Sequence, residues 1–231
     1  FASAGSGTYT ATWTISNGVC ADSTDDVQID VNVGLPITTT AGATGTCVSN
    51  GVSNWVHFFD ASGNIIASVN DNGQSMGDVT VEVPSVGNAS ASAVCSGGNN
   101  AYMGRYFRWS SSNTGWYTNN VTVRLYFTAA ELASLISEAG CGDANGCADD
   151  DDVCSIGDIV GTKYATGTAP GSAGGTFLTQ TGNGYDATYA ANYVDFSVSS
   201  FSDIYLHGSE HNVPLPVELL TWEAKGVNNE Y

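Results

Sequence analysis

Short segments in which apolar and polar residues alternate recur along most of the chain, and this two-residue period constrains the fold most strongly. Residues 8–16 are the clearest case, because Tyr9, Ala11, Trp13 and Ile15 alternate with threonine and serine. Such alternation is typical of a β-strand with one covered face. Residues 27–33 and 79–83 alternate in the same way, and apolar or aromatic-rich segments that are typical of strands occupy 54–69, 102–109, 121–127, 156–164, 175–179, 193–198 and 201–207. The sequence therefore predicts about ten short strands and an all-β sandwich.

Residues 128–139 carry the one helical signal. Thr128 and Glu131 have the spacing of a capping box, and Gly140 follows as a stop. The apolar stripe of this helix consists of Leu132, Leu135 and Ile136. We expect a helix over 129–139 that covers an end or edge of the sandwich. The predicted fold is thus an immunoglobulin-like or jelly-roll-like β-sandwich with one short helix.

Proline-containing joints divide the chain into three parts. We expect residues 1–36 to form a β-hairpin, which is either part of an immunoglobulin-like or PKD-like module or a pair of strands that connects subunits. The joint Gly34–Pro36 ends this part. Residues 37–210 form the predicted central sandwich, within which the Ser/Ala/Asn/Gly-rich stretch 85–100 is expected to be a long loop. Residues 211–231 predict a linker followed by a strand after Pro214 and Pro216. We therefore expect strand-forming extensions at both ends of the sandwich.

Both extensions carry apolar residues at alternating positions that a lone hairpin or strand cannot bury. The hairpin set is Tyr9, Trp13, Ile15, Val27, Ile29 and Val31, and the C-terminal set is Leu215, Val217, Leu219 and Trp222. One hypothesis is that these strands complete a sheet in the next copy of the chain, head to tail. The alternative is that both are parts of adjoining modules that lie on their own domain.

The charge balance excludes several classes of partner. The chain has 5 Lys plus Arg against 23 Asp plus Glu, a formal net charge of −18. Nucleic acids and anionic membranes need clustered cationic side chains, which so few basic residues cannot supply. The sequence also lacks a run of 18 apolar residues that would cross a membrane as a helix.

Six cysteines favour disulfide bonds in an oxidising compartment. The sequence contains no Cys-x-x-Cys motif, and its three histidines lie far from every cysteine, which argues against zinc. We predict a Cys47–Cys95 bond and at least one bond within the group Cys141, Cys147 and Cys154. The partner of Cys20 stays open at this point.

An acidic loop between these cysteines is a candidate calcium site, because calcium prefers carboxylate and carbonyl oxygens. The candidate ligands are Asp143, Asn145, Asp149, Asp150, Asp151 and Asp152, with Asp158 nearby. Their spacing does not match an EF-hand loop. The alternative is a solvated acidic loop held by disulfides.

A turn rich in serine, asparagine and glycine precedes Trp116 and Tyr117, which makes this pair a candidate sugar-binding platform. Trp55 and Trp109 lie inside apolar strands, so we expect them in the core. Residues 73–77, Gly-Gln-Ser-Met-Gly, fit the Gly-x-Ser-x-Gly pattern, but a nucleophile elbow leads directly into a helix, and here the strand signal at 79–83 follows instead. A serine–histidine–acid site around His207 and residues 209–211 would require the nucleophile and the base to meet in space beside an oxyanion hole, which one sequence does not indicate. We therefore expect no enzymatic activity.

Three groups of residues resemble secreted surface proteins of the Bacteroidetes. Residues 7–27 resemble the last two strands of immunoglobulin-like or PKD-like repeats in gliding-motility adhesins, and residues 214–224 resemble the junction before a type IX secretion sorting region. Residues 55–73, 121–132 and 201–208 look like the β-rich domain that precedes that junction. The resemblance implies a secreted cell-surface protein without catalytic residues.

Together these features predict a non-catalytic extracellular structural protein, an adhesin or a filament subunit, whose partners are copies of itself or adjoining surface modules. The alternative prediction is a carbohydrate-binding module of a secreted multidomain enzyme, with glycans as ligands. Calcium is the one cofactor that the sequence indicates.

Overall fold

The computed structural model describes residues 7–15, 23–31, 36–95, 98–116, 119–141, 153–172 and 174–208. In this part of the chain there are fourteen strands, one α-helix and one 3-10 helix. The strands are β1 (Gly7–Ile15), β2 (Ser23–Val31), β3 (Ala43–Asn50), β4 (Trp55–Phe59), β5 (Ile65–Asn70), β6 (Ser75–Ser85), β7 (Ser90–Cys95), β8 (Gly98–Ser111), β9 (Val121–Phe127), β10 (Val160–Tyr164), β11 (Thr176–Leu178), β12 (Gln180–Asp186), β13 (Ala191–Val198) and β14 (Asp203–His207). The helix is α1 (Ala129–Ala139), and the 3-10 helix is Ile156–Asp158.

Two antiparallel sheets pack face to face as a sandwich, which confirms the predicted fold. The first sheet has the strand order β11-β10-β14-β8-β6-β3, with β7 also pairing with β8, and the second has the order β12-β13-β9-β5-β4. Their inner faces share one apolar core, in which Phe58, Val81, Trp109, Leu125 and Phe196 are buried. Burial of each such side chain contributes about 1.5–3 kcal/mol.

The prediction of a long loop over 85–100 is wrong for the described residues of that segment, 85–95 and 98–100. Strand β7 pairs with the first part of β8, with Ser90 opposite Tyr102 and Cys95 opposite Gly98. Serine, alanine and asparagine have weak strand propensity, so this segment carries little local signal. Its conformation is decided by pairing with β8.

Helix α1 begins and ends as the sequence predicts. The Thr128 hydroxyl accepts a hydrogen bond from the Glu131 amide at 3.0 Å, and Glu131 Oε2 accepts one from the Thr128 amide at 2.8 Å. The Glu131 carboxylate also accepts a hydrogen bond at 2.9 Å from Nε of Arg105, a fully buried side chain on β8. Leu135 is buried, while Leu132 and Ile136 pack against the core of the sandwich.

Strands β1 and β2 form the N-terminal hairpin that the sequence predicts. Their register runs from Gly7 opposite Val31 to Ile15 opposite Ser23. Among the described strands, β1 and β2 pair only with each other. The division of the chain at residues 36 and 210 stays a prediction, and the C-terminal extension lies outside the described residues.

The disulfide predictions have a mixed outcome. Cys141 and Cys154 form a disulfide with a Cα–Cα distance of 4.9 Å, which confirms one bond within the predicted group. Cys47 is a free thiol, and its Sγ lies 3.5 Å from the carbonyl oxygen of His57, so the predicted Cys47–Cys95 bond is wrong. Cys20 and Cys147 lie outside the described residues.

The strand register explains why Cys47 and Cys95 do not pair. Cys47 is opposite Val79, which is opposite Ser111, whereas Cys95 is opposite Gly98. The two cysteines therefore align with opposite ends of the 14-residue strand β8. At about 3.3 Å per residue those ends are roughly 40 Å apart. A disulfide requires a Cα–Cα distance of about 4.4–6.8 Å.

Candidate functional site

The hairpin exposes large apolar side chains on one face. Ala11 is opposite Val27 and Trp13 is opposite Asp25, so odd-numbered positions of both strands share this face. Trp13 is 67% exposed, Ile15 75% and Val27 44%. We call these three side chains the apolar hairpin face. The threonines at positions 10, 12 and 14, on the opposite face, are exposed as well. Neither face of the hairpin is thus covered by another layer in the described part of the chain.

The other predicted assembly residues have no described side chains. For Tyr9, Ile29 and Val31 the structure describes the backbone pairing alone, in which Tyr9 is opposite Ile29. Leu215, Val217, Leu219 and Trp222 lie outside the described residues. Their role in assembly stays a prediction.

A second exposed apolar patch lies at the edge strand β3. Among the described strands, β3 pairs only with β6, so no strand is hydrogen-bonded to its other side, although β4 of the second sheet packs against it near Gly45 and Cys47. Val48 on β3 is 65% exposed, and Val52 in the following turn is 58% exposed. Strand β3 also contains no charged residue and no proline, the residues that commonly block addition of another strand at an edge. We call this strand, with Val48 and Val52, the β3 edge.

The buried carboxylate of Asp71 fixes the turn that carries Val52. Asp71 is fully buried. Its oxygens accept five hydrogen bonds of 2.7–3.2 Å, from the hydroxyl of Ser49 and the backbone amides of Gly51, Val52, Ser53 and Gly73. These donors replace the water that the carboxylate loses on burial. The turn is therefore held against the end of β5.

A cleft of ≈ 420 Å³ lies on the outer face of the first sheet, and we call it the tyrosine cleft. It is lined by Tyr102 and Tyr106 on β8, Tyr205 on β14, Pro170 in the loop after β10 and Ser90 on β7. The rings of Tyr106 and Tyr205 stack with centroids 4.5 Å apart, and Tyr102 packs edge-on against Tyr205. The cleft thus combines aromatic surface with hydroxyl groups.

Arg108 is the cation of this cleft. Its Nε and Nη2 donate to the two oxygens of the Asp203 carboxylate at 3.0 and 3.1 Å, and its Nη1 donates to Glu82 at 3.4 Å. The hydrogen bonds to Asp203 raise the pKa of Arg108 above its ordinary value. Two carboxylates therefore balance the single guanidinium.

The loop beside the cleft is tied to the sheet at three points. The amide of Gly167 donates to Asp203 at 2.9 Å, and the amide of Gly171 donates to the Tyr164 hydroxyl at 3.1 Å. Burial, reinforced by neighbouring Tyr106 and Asp203, raises the pKa of Tyr205. Its hydroxyl donates to the Thr168 carbonyl at 3.2 Å.

The prediction that Trp116 lies on an exposed platform is wrong. Trp116 is 2% exposed, its ring packs against Phe201 at 4.7 Å, and its Nε1 donates to the Ser111 hydroxyl at 3.2 Å. The preceding turn folds this ring back into the core. Tyr117 lies outside the described residues. Trp109 is buried as predicted, whereas Trp55 is half-buried beneath the guanidinium of Arg124 at 4.5 Å.

The predicted calcium ligands Asp143, Asn145 and Asp149–Asp152 lie outside the described residues. Asp158 is described, and its carboxylate accepts hydrogen bonds from the amides of Cys154 and Ser155 at 3.1 and 2.7 Å. It therefore caps the 3-10 helix. In the described ranges, no group of three histidine, cysteine or acidic side chains converges to hold a metal ion.

Two histidines form hydrogen bonds within the sheets. His57 Nδ1 lies 2.7 Å from the Ser68 hydroxyl, but Ser68 is fully buried and out of reach of a substrate. Burial lowers the pKa of His57, against a raising effect of Asp186. His207 is also buried, with Nε2 2.7 Å from the Thr162 hydroxyl. Residues 209–211 lie outside the described part of the chain.

Comparison of this chain with protein-family models, curated proteins and solved structures finds no match. Within the described residues, no helix is long and apolar enough to cross a membrane.

Sequence reasoning missed the tyrosine cleft. A partial signal was present, because Tyr102, Tyr106 and Arg108 occupy positions of one strand that share a face. Tyr205 is almost 100 residues further along the chain and comes beside them through the pairing of β14 with β8. The strand order needed to find the cleft is a non-local property.

Proposed function

We propose that this chain is a non-catalytic structural protein of the bacterial cell surface, an adhesin or filament subunit that assembles through β-strands. The observation that carries the proposal is the apolar hairpin face. A two-stranded hairpin is marginally stable alone in water, and this one leaves Trp13 and Ile15 largely exposed. Burial of these side chains against a partner would contribute about 1.5–3 kcal/mol each.

The partner in this proposal is the β3 edge of a second copy. Copies of a chain with net charge −18 repel each other, so a contact between them favours uncharged segments. Strand β1 has nine residues and β3 has eight, and neither contains a charged residue. Strand addition at an open edge supplies main-chain hydrogen bonds along the whole strand. Val48 and Val52 provide apolar surface beside that edge.

A contact between the hairpin of one copy and the β3 edge of the next joins two different surfaces. Such a heterologous contact extends into an open filament unless the rotation between copies closes a ring. Each subunit would then donate one hairpin and accept another.

An extracellular location fits three features. The Cys141–Cys154 disulfide is of a kind that persists in oxidising compartments. The chain has only 5 basic residues and 28 glycines, as in many secreted β-rich proteins. Residues 7–27 and 214–224 resemble segments of Bacteroidetes surface proteins that use type IX secretion.

The donor side is tested by Trp13→Ser, with Thr12→Ser on the opposite face of β1 as the matched control. Sedimentation velocity over a range of protein concentrations should show assembly of the natural chain and of Thr12→Ser. Trp13→Ser should stay monomeric at the same concentrations, with an unchanged melting temperature of the sandwich. Equal assembly of both variants, or a natural chain that is monomeric throughout, contradicts the proposal.

The acceptor side is tested by Val48→Lys, which places a charge on the β3 edge. Ser197→Lys is its control, because Ser197 is exposed on β13 of the other sheet. The first variant should be monomeric and the second should assemble. If both assemble, β3 is not the acceptor.

A further inference from the structure

We propose that the tyrosine cleft binds a short neutral oligosaccharide. This site goes beyond assembly, because it uses the outer face of the first sheet and residues of β7, β8 and β14 that take no part in the hairpin contact. Its volume of ≈ 420 Å³ falls within the range of small-molecule sites.

The aromatic surface of the cleft suits the apolar faces of a sugar ring. The axial C–H groups of a pyranose form a flat apolar surface that packs against an aromatic face. Tyr106 is half-buried and lines the cleft, its ring stacks on Tyr205, and the guanidinium of Arg108 lies over that ring at 6.0 Å from the centroid, so the ring is held in place. A tyrosine also offers a polar tip next to its apolar ring.

The polar groups of the cleft suit hydroxyl ligands. Sugar hydroxyls both donate and accept hydrogen bonds, as do the hydroxyls of Tyr106 and Ser90. Arg108 uses its Nε, its Nη2 and one hydrogen of Nη1 within the protein. Among the contacts of the described residues, its second Nη1 hydrogen is left to donate to a ligand.

The charges of the cleft select a neutral ligand. The guanidinium of Arg108 is balanced by Asp203 and Glu82, and the chain as a whole is strongly acidic. An anionic ligand would be repelled by this field. Arg108 is the charged residue that lines the cleft, so a cationic ligand would meet its guanidinium rather than the two carboxylates.

The cleft is also formed before a ligand binds. Its floor consists of paired strands, and the loop carrying Pro170 is held by hydrogen bonds from Gly167 to Asp203 and from Tyr205 to Thr168. A site that needs no ordering on binding loses less conformational entropy.

The test is an array of neutral oligosaccharides, followed by isothermal titration of the natural chain with the strongest binder. Ser90→Trp fills the cleft from its exposed rim without removing a packed side chain, and Tyr106→Ala removes a ring that lines the cleft. Each should weaken binding at least tenfold. Tyr185→Ala is the control, because Tyr185 is 62% exposed on β12 of the other sheet, and its affinity should be unchanged.

Thermal unfolding of each variant separates loss of binding from loss of fold, and Ser90→Trp keeps the proposal testable if Tyr106→Ala unfolds. Proline-rich segments also dock in aromatic-lined grooves, so decaproline is titrated alongside the sugars. Three results overturn the proposal: no neutral oligosaccharide on the array binds, Ser90→Trp retains full affinity, or decaproline binds the cleft and no sugar does. Assembly is measured separately, so a failed hairpin contact leaves this test intact.

Discussion

Replacing Asp71 with alanine removes the acceptor of five hydrogen bonds while leaving their donors in place. The amides of Gly51, Val52 and Ser53 then lose their partner at the β3–β4 turn. Each hydrogen bond to a charged group contributes about 1.5–3 kcal/mol, but exposed parts of this turn can bond to water instead. We expect the free energy of unfolding to fall by about 4 kcal/mol. At about 2–4 °C per kcal/mol, the melting temperature should fall by about 8–16 °C.

Asp60→Ala is the matched control for this prediction. The Asp60 carboxylate likewise accepts hydrogen bonds from two backbone amides of its turn, those of Ser62 and Asn64 at 2.8 and 2.9 Å. Asp60 is only partly covered, so water replaces much of what is lost, and the cost should be about 1 kcal/mol.

Both variants are compared with the natural chain by guanidinium unfolding, followed by tryptophan fluorescence, and by calorimetry. If Asp71→Ala lowers the free energy of unfolding no more than Asp60→Ala does, burial does not set the strength of these hydrogen bonds and the reasoning is refuted. Because the same turn carries Val52, Asp71→Ala should also weaken assembly.

Three further predictions concern stability. Replacing Cys141 and Cys154 together by serine should lower the free energy of unfolding by about 3 kcal/mol, since the disulfide closes a short loop; no change in denaturant midpoint would contradict this. Burial raises the pKa of Asp60, but hydrogen bonds from the Thr38 side chain and from its own turn outweigh that effect and hold the pKa below its ordinary value. The stability it supplies should be complete above about pH 4 and lost as pH falls through the lowered pKa, so the stability difference from Asp60→Asn should shrink only in that acid range. Gly104→Ala would place a Cβ against backbone carbonyls of the β6–β7 turn. Calorimetry should show that the free energy of unfolding falls by about 1–3 kcal/mol, and an unchanged melting temperature would contradict this by showing that the turn shifts to accept the methyl group.

Local signals predicted the elements whose own residues decide their conformation. Strand β9 has strong alternation and lies where expected, at Val121–Phe127. Helix α1 was predicted to the residue, because the capping box of Thr128 and Glu131 fixes its start and Gly140 its end. The hairpin followed from alternation in two neighbouring segments.

Features that depend on distant pairing were not predictable in this way. The spacing of Cys47 and Cys95 gives no warning that β7 and β3 align with opposite ends of β8. Trp116 follows a polar turn, yet Phe201, from a distant segment, provides its packing partner. The tyrosine cleft likewise depends on strand order. These errors share one cause, because each concerns which segments meet rather than what each segment prefers.

Mixing two assembly-deficient variants tests the central claim most directly. Trp13→Ser has a damaged hairpin and an intact β3 edge, whereas Val48→Lys has an intact hairpin and a damaged edge. Sedimentation velocity should find each variant monomeric alone, and an equimolar mixture should form one-to-one dimers that grow no further, because each dimer has used its one functional hairpin and its one functional edge. A mixture that stays monomeric while the natural chain assembles would contradict the claim that the hairpin of one copy binds the β3 edge of the next.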